Sequence, residues 1–191
     1  MKKILIPAFV AMCLAQWFIP GQMITGQEAI LSQGKVYKFR TAPIDPADPF
    51  RGKYITLSFE QNHIGVTNSK EWKRDQEVYV WLSDSAGFAY ITKVSMFEPE
   101  GTDFVKAKVN RVTDYDRYTL WIEYPFERFY LEESKAAGAE QVYREAQIDS
   151  AQVAYAVVRV RHGEAAIEDV KINDRSIADV VRELNHAKSS D

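Results

Sequence analysis

Histidine, cysteine, serine–lysine and paired carboxylates do most enzyme chemistry, and in this chain their spacing narrows the field. His63, His162 and His186 are far apart, with no pair at helical metal-ligand spacing, so a zinc or iron site is not expected. Cys13 is the only cysteine and lies in an apolar N-terminal run, which leaves the rest of the chain without a thiol for catalysis, disulfides or zinc. No cofactor is implied. Asp45 with Asp48, and Asp114 with Asp116, are oxygen-rich turns that suit backbone hydrogen bonding as well as a hard cation. Ser95 and Lys106 are the types that form a nucleophile and base, but nothing in the sequence brings a base to Ser95. Glu132 and Glu133 are adjacent, so on a helix they diverge by about 100°. They suit the positive end of a helix dipole; a glycosidase would need a facing carboxyl as well. Trp72, Trp81 and Trp121 could form a carbohydrate or peptide platform, or pack in the core and across strands.

The segment from Thr41 to Tyr54 carries the most information. Pro43, Pro46 and Pro49 fix φ and remove donors, which makes a stiff loop rather than a strand. Asp45 and Asp48 can accept nearby backbone N–H groups, and Arg51 can reach one or both in a fork geometry. Gly52 fits a left-handed residue or a bulge that opens the next strand. These residues either lock the loop or present a rigid surface to a partner or ligand.

The elements that must position this loop are mostly strands. Tyr54–Glu60 alternates Ile55, Leu57 and Phe59 against Tyr54, Thr56, Ser58 and Glu60, the period of a half-buried strand. Lys35–Thr41, Glu77–Ser83, Phe88–Val94, Asp103–Val112, Arg117–Tyr124, Gln152–Arg161 and Ala165–Ile172 read the same way, with turns at Asp84–Gly87, Asp114–Asp116 and His162-Gly163. Glu132–Ala146 is rich in helix formers, though Gly138 costs about 1 kcal/mol. A second helix follows Ser176 as its cap, with an apolar stripe of Ile177, Val180, Val181 and Leu184. The expectation is an α+β domain of mostly antiparallel strands, a curled sheet or small barrel, with two helices. The segment Pro49-Phe50-x-x-Lys53-Tyr54 faintly echoes Pro125-Phe126-x-x-Phe129-Tyr130.

Before this domain, Lys2 and Lys3 precede a stretch without charge that ends only at Glu28. Extended to Ile24, it is long enough as a helix to span a bilayer, with Trp17 and Phe18 placed as an interfacial belt. Alternatives are a signal cleaved after Ala15, or a lipoprotein at Cys13, where Met12 is too bulky. The lysines keep the tip cytoplasmic and send the rest across. The chain thus divides into an anchor or signal over 1–24, a juxtamembrane stalk over 25–34 with room for a helical turn around Glu28-Ala29-Ile30-Leu31 that Gly34 ends, one extracytoplasmic domain over 35–186 and a disordered tail over 187–191. With 24 Lys+Arg against 27 Asp+Glu, no basic stripe marks a nucleic-acid site.

The stretch Gly52-Lys53-Tyr54-Ile55-Thr56-Leu57-Ser58-Phe59 resembles the GDYXXLXY family, named for Gly-Asp-Tyr-x-x-Leu-x-Tyr. Pro43, Asp45, Pro46, Asp48, Phe50 and Arg51 look like its upstream pattern, and Arg128-Phe129-Tyr130-Leu131-Glu132-Glu133 looks like its second motif. Lys53 replaces the motif aspartate and Phe59 its last tyrosine, departures that suit a structural or interfacial motif better than a catalytic one. The resemblance implies a membrane-anchored extracytoplasmic protein of unassigned activity that works beside a multi-span membrane protein. Signal peptidases are similar in topology, but Pro99 follows Ser95-Met96 one place late for their pattern.

The leading expectation is therefore a non-enzymatic interaction module tethered to the bacterial cytoplasmic membrane, with its domain on the periplasmic side. Its candidate interface or loop-locking residues are Asp45, Asp48, Phe50, Arg51, Lys53, Tyr54, Arg128, Glu132 and Glu133. An envelope hydrolase near the same residues, or a binding module for envelope polymer or peptide, is the alternative.

Overall fold

In the computed structural model, residues 2–43, 54–101, 103–114, 118–148 and 151–188 are described. The order is α1 (Lys2–Gln33), β1 (Lys35–Ala42), β2 (Tyr54–Thr56), β3 (Ser58–Phe59), β4 (His63–Gly65), β5 (Glu77–Ser85), β6 (Phe88–Ser95), β7 (Phe104–Thr113), β8 (Thr119–Glu123), β9 (Arg128–Tyr130), α2 (Glu133–Ile148), β10 (Ala154–Arg161), β11 (Glu164–Ile172), β12 (Arg175–Ser176) and α3 (Ile177–Lys188). Tight turns set the register of three hairpins. Ala86-Gly87, His162-Gly163 and Asn173-Asp174 each have two residues at positive φ, the geometry that matches the twist of the flanking strands. The Asp84 carboxylate accepts the Gly87 N–H at 3.1 Å and closes the first of them.

The strands form three antiparallel groups: β12-β11-β10-β1-β3, β4-β8-β7-β5-β6, and the two-stranded ribbon β2-β9. They curl into a nearly closed barrel. On one side the Arg40 guanidinium rests 4.1 Å from the Phe88 ring, joining β1 to β6. On another, the Lys106 N–H donates to the Gly163 carbonyl at 2.8 Å, seating the β10–β11 turn on β7. Period-2 alternation drives this closure. Val78, Val80 and Leu82 of β5, Val105, Ala107 and Val109 of β7, and Leu120 and Ile122 of β8 are all buried. Phe39, Phe59, Tyr124 and Phe126 form an edge-on and stacked aromatic cluster, with every centroid separation between 4.9 and 5.8 Å.

Helices α2 and α3 pack against each other, α2 reaching β2 and β10 and α3 reaching β11 and β12. Gly138 has a packing reason: a Cβ there would meet Val181 Cγ1 at 3.0 Å. The apolar stripe of α3 is narrower than its sequence implies. Ile177 and Val181 are fully buried, whereas Leu184 faces solvent. Ser176 ends β12, and its hydroxyl donates to Asp169 at 3.0 Å.

Other segments depart from the sequence reading. Tyr54–Glu60 is not one strand. It breaks at Leu57, so that β2 pairs with β9 and β3 with β1. The Leu57 N–H donates to the Glu127 carbonyl at 2.8 Å, and Ile55, Leu57 and Phe59 all stay buried through the change of partner. The short strands β4, β9 and β12 have no sequence-level counterpart. The helical turn read in the stalk is the end of a longer helix, because α1 continues through Pro20 and Gly21 to Gln33. Gly34 then ends it, donating its N–H to the Ile30 carbonyl at 2.8 Å. Helix α3 extends to Lys188, into the stretch read as a tail. Among the described residues, no helix is long and apolar enough to cross a membrane.

Candidate functional site

Of the residues singled out in sequence, Asp45, Asp48, Phe50, Arg51 and Lys53 lie outside the described residues. So do Tyr115 and Asp116 of the turn expected at Asp114–Asp116. Tyr54 and Arg128 are brought together. The β2–β9 ribbon sets Tyr54 opposite Tyr130 and Thr56 opposite Arg128. The Arg128 guanidinium sits 5.1 Å from the Tyr54 ring, and the Tyr54 and Tyr130 rings are 5.4 Å apart. Tyr54, the last residue of one of the two segments that echo one another in sequence, thus pairs with Tyr130, the last residue of the other. Tyr130 is exposed, and so is Glu132, which stands just before α2; Glu133 is the first residue of that helix.

At Thr56 the ribbon borders a cleft of about 360 Å³. Thr56 and Ser58 form one wall, Asn62 and Glu127 another, and Asn110, Arg111 and Trp121 the floor of β7 and β8. A β-bulge shapes that floor: Val109 pairs with Ile122 and Arg111 with Trp121, which leaves Asn110 as the extra residue. The Arg111 guanidinium lies 4.8 Å from the Trp121 ring, and His63 packs on the same ring at 4.8 Å. Behind the cleft the Tyr124 hydroxyl donates to the Gln61 carbonyl at 2.7 Å.

Burial raises the Glu127 carboxyl above its ordinary range, and the Glu123 charge adds to this; the Tyr124 backbone N–H and Arg128 act the other way. A concave, polar-lined site with one perturbed carboxyl is where binding or chemistry tends to reside. No sequence motif marked Glu127, Asn110 or Arg111. The available signal was local: Glu127 follows the run Tyr124-Pro125-Phe126, an acid beside residues that belong in a core.

The other chemistries lack geometry. Lys106 pairs with Glu98 at 3.8 Å, the Ser95 hydroxyl accepts the Phe97 N–H at 3.0 Å, and the two residues flank Tyr79 on opposite sides of β5. Among the described residues, no group of three His, Cys, Asp or Glu side chains could hold a metal. Trp81 is covered by Lys93 at 5.0 Å.

No curated protein and no solved structure matches this chain. The family model of the GDYXXLXY protein matches residues 16–170. Of its described motif residues, Leu57 and Phe59 are buried in the barrel and Tyr54 lies on the β2–β9 ribbon. The chain belongs to the GDYXXLXY protein family.

Proposed function

We propose that this protein is a membrane-tethered extracytoplasmic domain that acts as an interaction module for an integral membrane partner. The observation that carries this reading is the uncovered apolar surface of α1. Ile6, Phe9, Met12, Leu14, Trp17, Phe18, Ile19, Met23 and Ile24 are all exposed, and at 100° per residue they cover every side of the helix. Trp17 is 82% exposed. Such a surface needs a cover from outside the chain, and lipid supplies it on all sides at once. The run between Lys3 and Glu28 carries no charge, and the two lysines at its tip favour a cytoplasmic start.

The helix is also coupled firmly to the barrel. Ile30 is buried in its last turn, and the Arg159 guanidinium donates to the Gly34 carbonyl at 3.2 Å. Glu168 holds that guanidinium at 2.6 and 3.3 Å. A tether docked in this way would hold the domain at a set angle to the membrane, a property suited to a partner in the same bilayer.

The ribbon of Tyr54, Arg128 and Tyr130 is the described part of the proposed contact surface. A photo-crosslinking residue at position 130, activated in intact membranes, tests it. The expected result is a discrete adduct with an integral membrane protein. Recovery of no membrane protein above background would refute the partner role.

A further inference from the structure

The cleft beside Glu127 meets the ribbon at Thr56 and is not explained by tethering or by partner contact. We propose that it is a saccharide-binding site, taking a short segment of a neutral or N-acylated glycan by its hydroxyl or amide groups.

The argument starts from the kinds of group that converge there. Asn62 and Asn110 offer carboxamides, Arg111 a planar guanidinium, Glu127 a carboxyl, Ser58 a hydroxyl and Trp121 an indole. Amide, guanidinium and carboxyl groups are flat and bidentate, which matches adjacent hydroxyls on a sugar ring. The Trp121 indole carries Arg111 and His63 at 4.8 Å and donates its N–H to the Thr113 hydroxyl at 3.4 Å, so it holds the guanidinium in place at the cleft.

Two observations separate this from an ordinary polar surface. The β7 bulge inserts Asn110 as an extra residue at the cleft floor, and bulges commonly re-aim side chains next to sites. Arg111 and Glu127 line one cleft yet form no ion pair with each other, and among the described residues Arg111 makes no ion pair or side-chain hydrogen bond; it rests on Trp121. Opposite charges left apart at one site are available to a ligand that satisfies both.

Other ligand classes fit less well. A phosphate dianion would meet the Glu127 carboxyl and a single guanidinium. A metal ion would find one carboxyl only among the lining residues. An apolar ligand would strand the amides. At about 360 Å³ the cleft lies at the small end of ligand pockets, so it suits a few atoms' depth of a polymer rather than a long groove. Among its described lining residues there is a single carboxyl rather than the facing pair that glycoside hydrolysis uses, and the role proposed is binding.

The test uses the full chain in a non-glycosidic detergent, with the Trp121 indole N–H followed by NMR. The probes are chitotriose, maltotriose and trialanine. The expected result is saturable movement of that signal by at least one of the two sugars, with Kd of about 1 mM or tighter. Asn110→Ala and Arg111→Ala, both at exposed positions, should weaken it roughly tenfold, the loss of one good hydrogen bond. Unchanged melting temperatures in these variants show that the fold is kept. No response to either sugar, a response to trialanine alone, or sugar binding indifferent to both substitutions would each overturn the proposal. A failure here leaves the membrane tether standing, because the detergent-solubilised chain reports only on the cleft.

Discussion

Glu127 is a residue whose environment sets a measurable trend. Burial raises its carboxyl pKa above the ordinary value of 4.5. Between that value and the raised one, the folded chain keeps a proton that the unfolded chain has released. Its contribution to stability is therefore full below pH 4.5 and is lost as pH rises through the folded pKa. Glu127→Gln keeps the shape and removes the charge. It is predicted to melt at a higher temperature than the parent at pH 7, with the gap closing below pH 4.5. Thermal melts across that range check this, and a gap independent of pH would contradict it. At the same scale, sequence reasoning did well where burial alone decides. Ile55, Leu57 and Phe59 were assigned to one apolar face, and each is buried. It missed Asn110, Arg111 and Glu127, because a cleft built across β3, β7 and β8 depends on register, and register is not written in any one segment.

At the scale of elements, the barrel closes where backbone meets backbone. Gly163 has φ of 81°, and a Cβ there would stand 2.5 Å from Phe104 Cε2. Gly163→Ala is predicted to cost about 2–3 kcal/mol from left-handed strain together with overpacking. It should also speed hydrogen exchange at Lys106, whose N–H the Gly163 carbonyl accepts. Denaturant unfolding and native-state exchange measure both, and a neutral variant would show that this bridge does not hold the barrel together. The long strands and both domain helices were legible from periodicity, turns and composition. The breaks were not. Strands of two or three residues such as β4, β9 and β12 are too short to show a period, and the switch at Leu57 preserves the alternation that would otherwise betray it. Helix α1 runs on past Ile24 to the glycine whose close packing on Arg159 and Val160 ends it.

At the scale of the whole molecule, a barrel is joined to a helix whose apolar side chains, among the described residues, are largely exposed. The helix docks by Ile30 and Gly34, and the domain then carries the β2–β9 ribbon and the Glu127 cleft on its surface. Tethering is the claim on which partner and compartment both depend. The most direct measurement is protease protection in spheroplasts expressing the full chain, with detection of the domain over 35–186. The account predicts that protease added outside intact spheroplasts degrades the domain or releases it from the membrane, while a cytoplasmic marker survives. A domain left membrane-bound and whole until the cells are lysed, then readily cut, would contradict it.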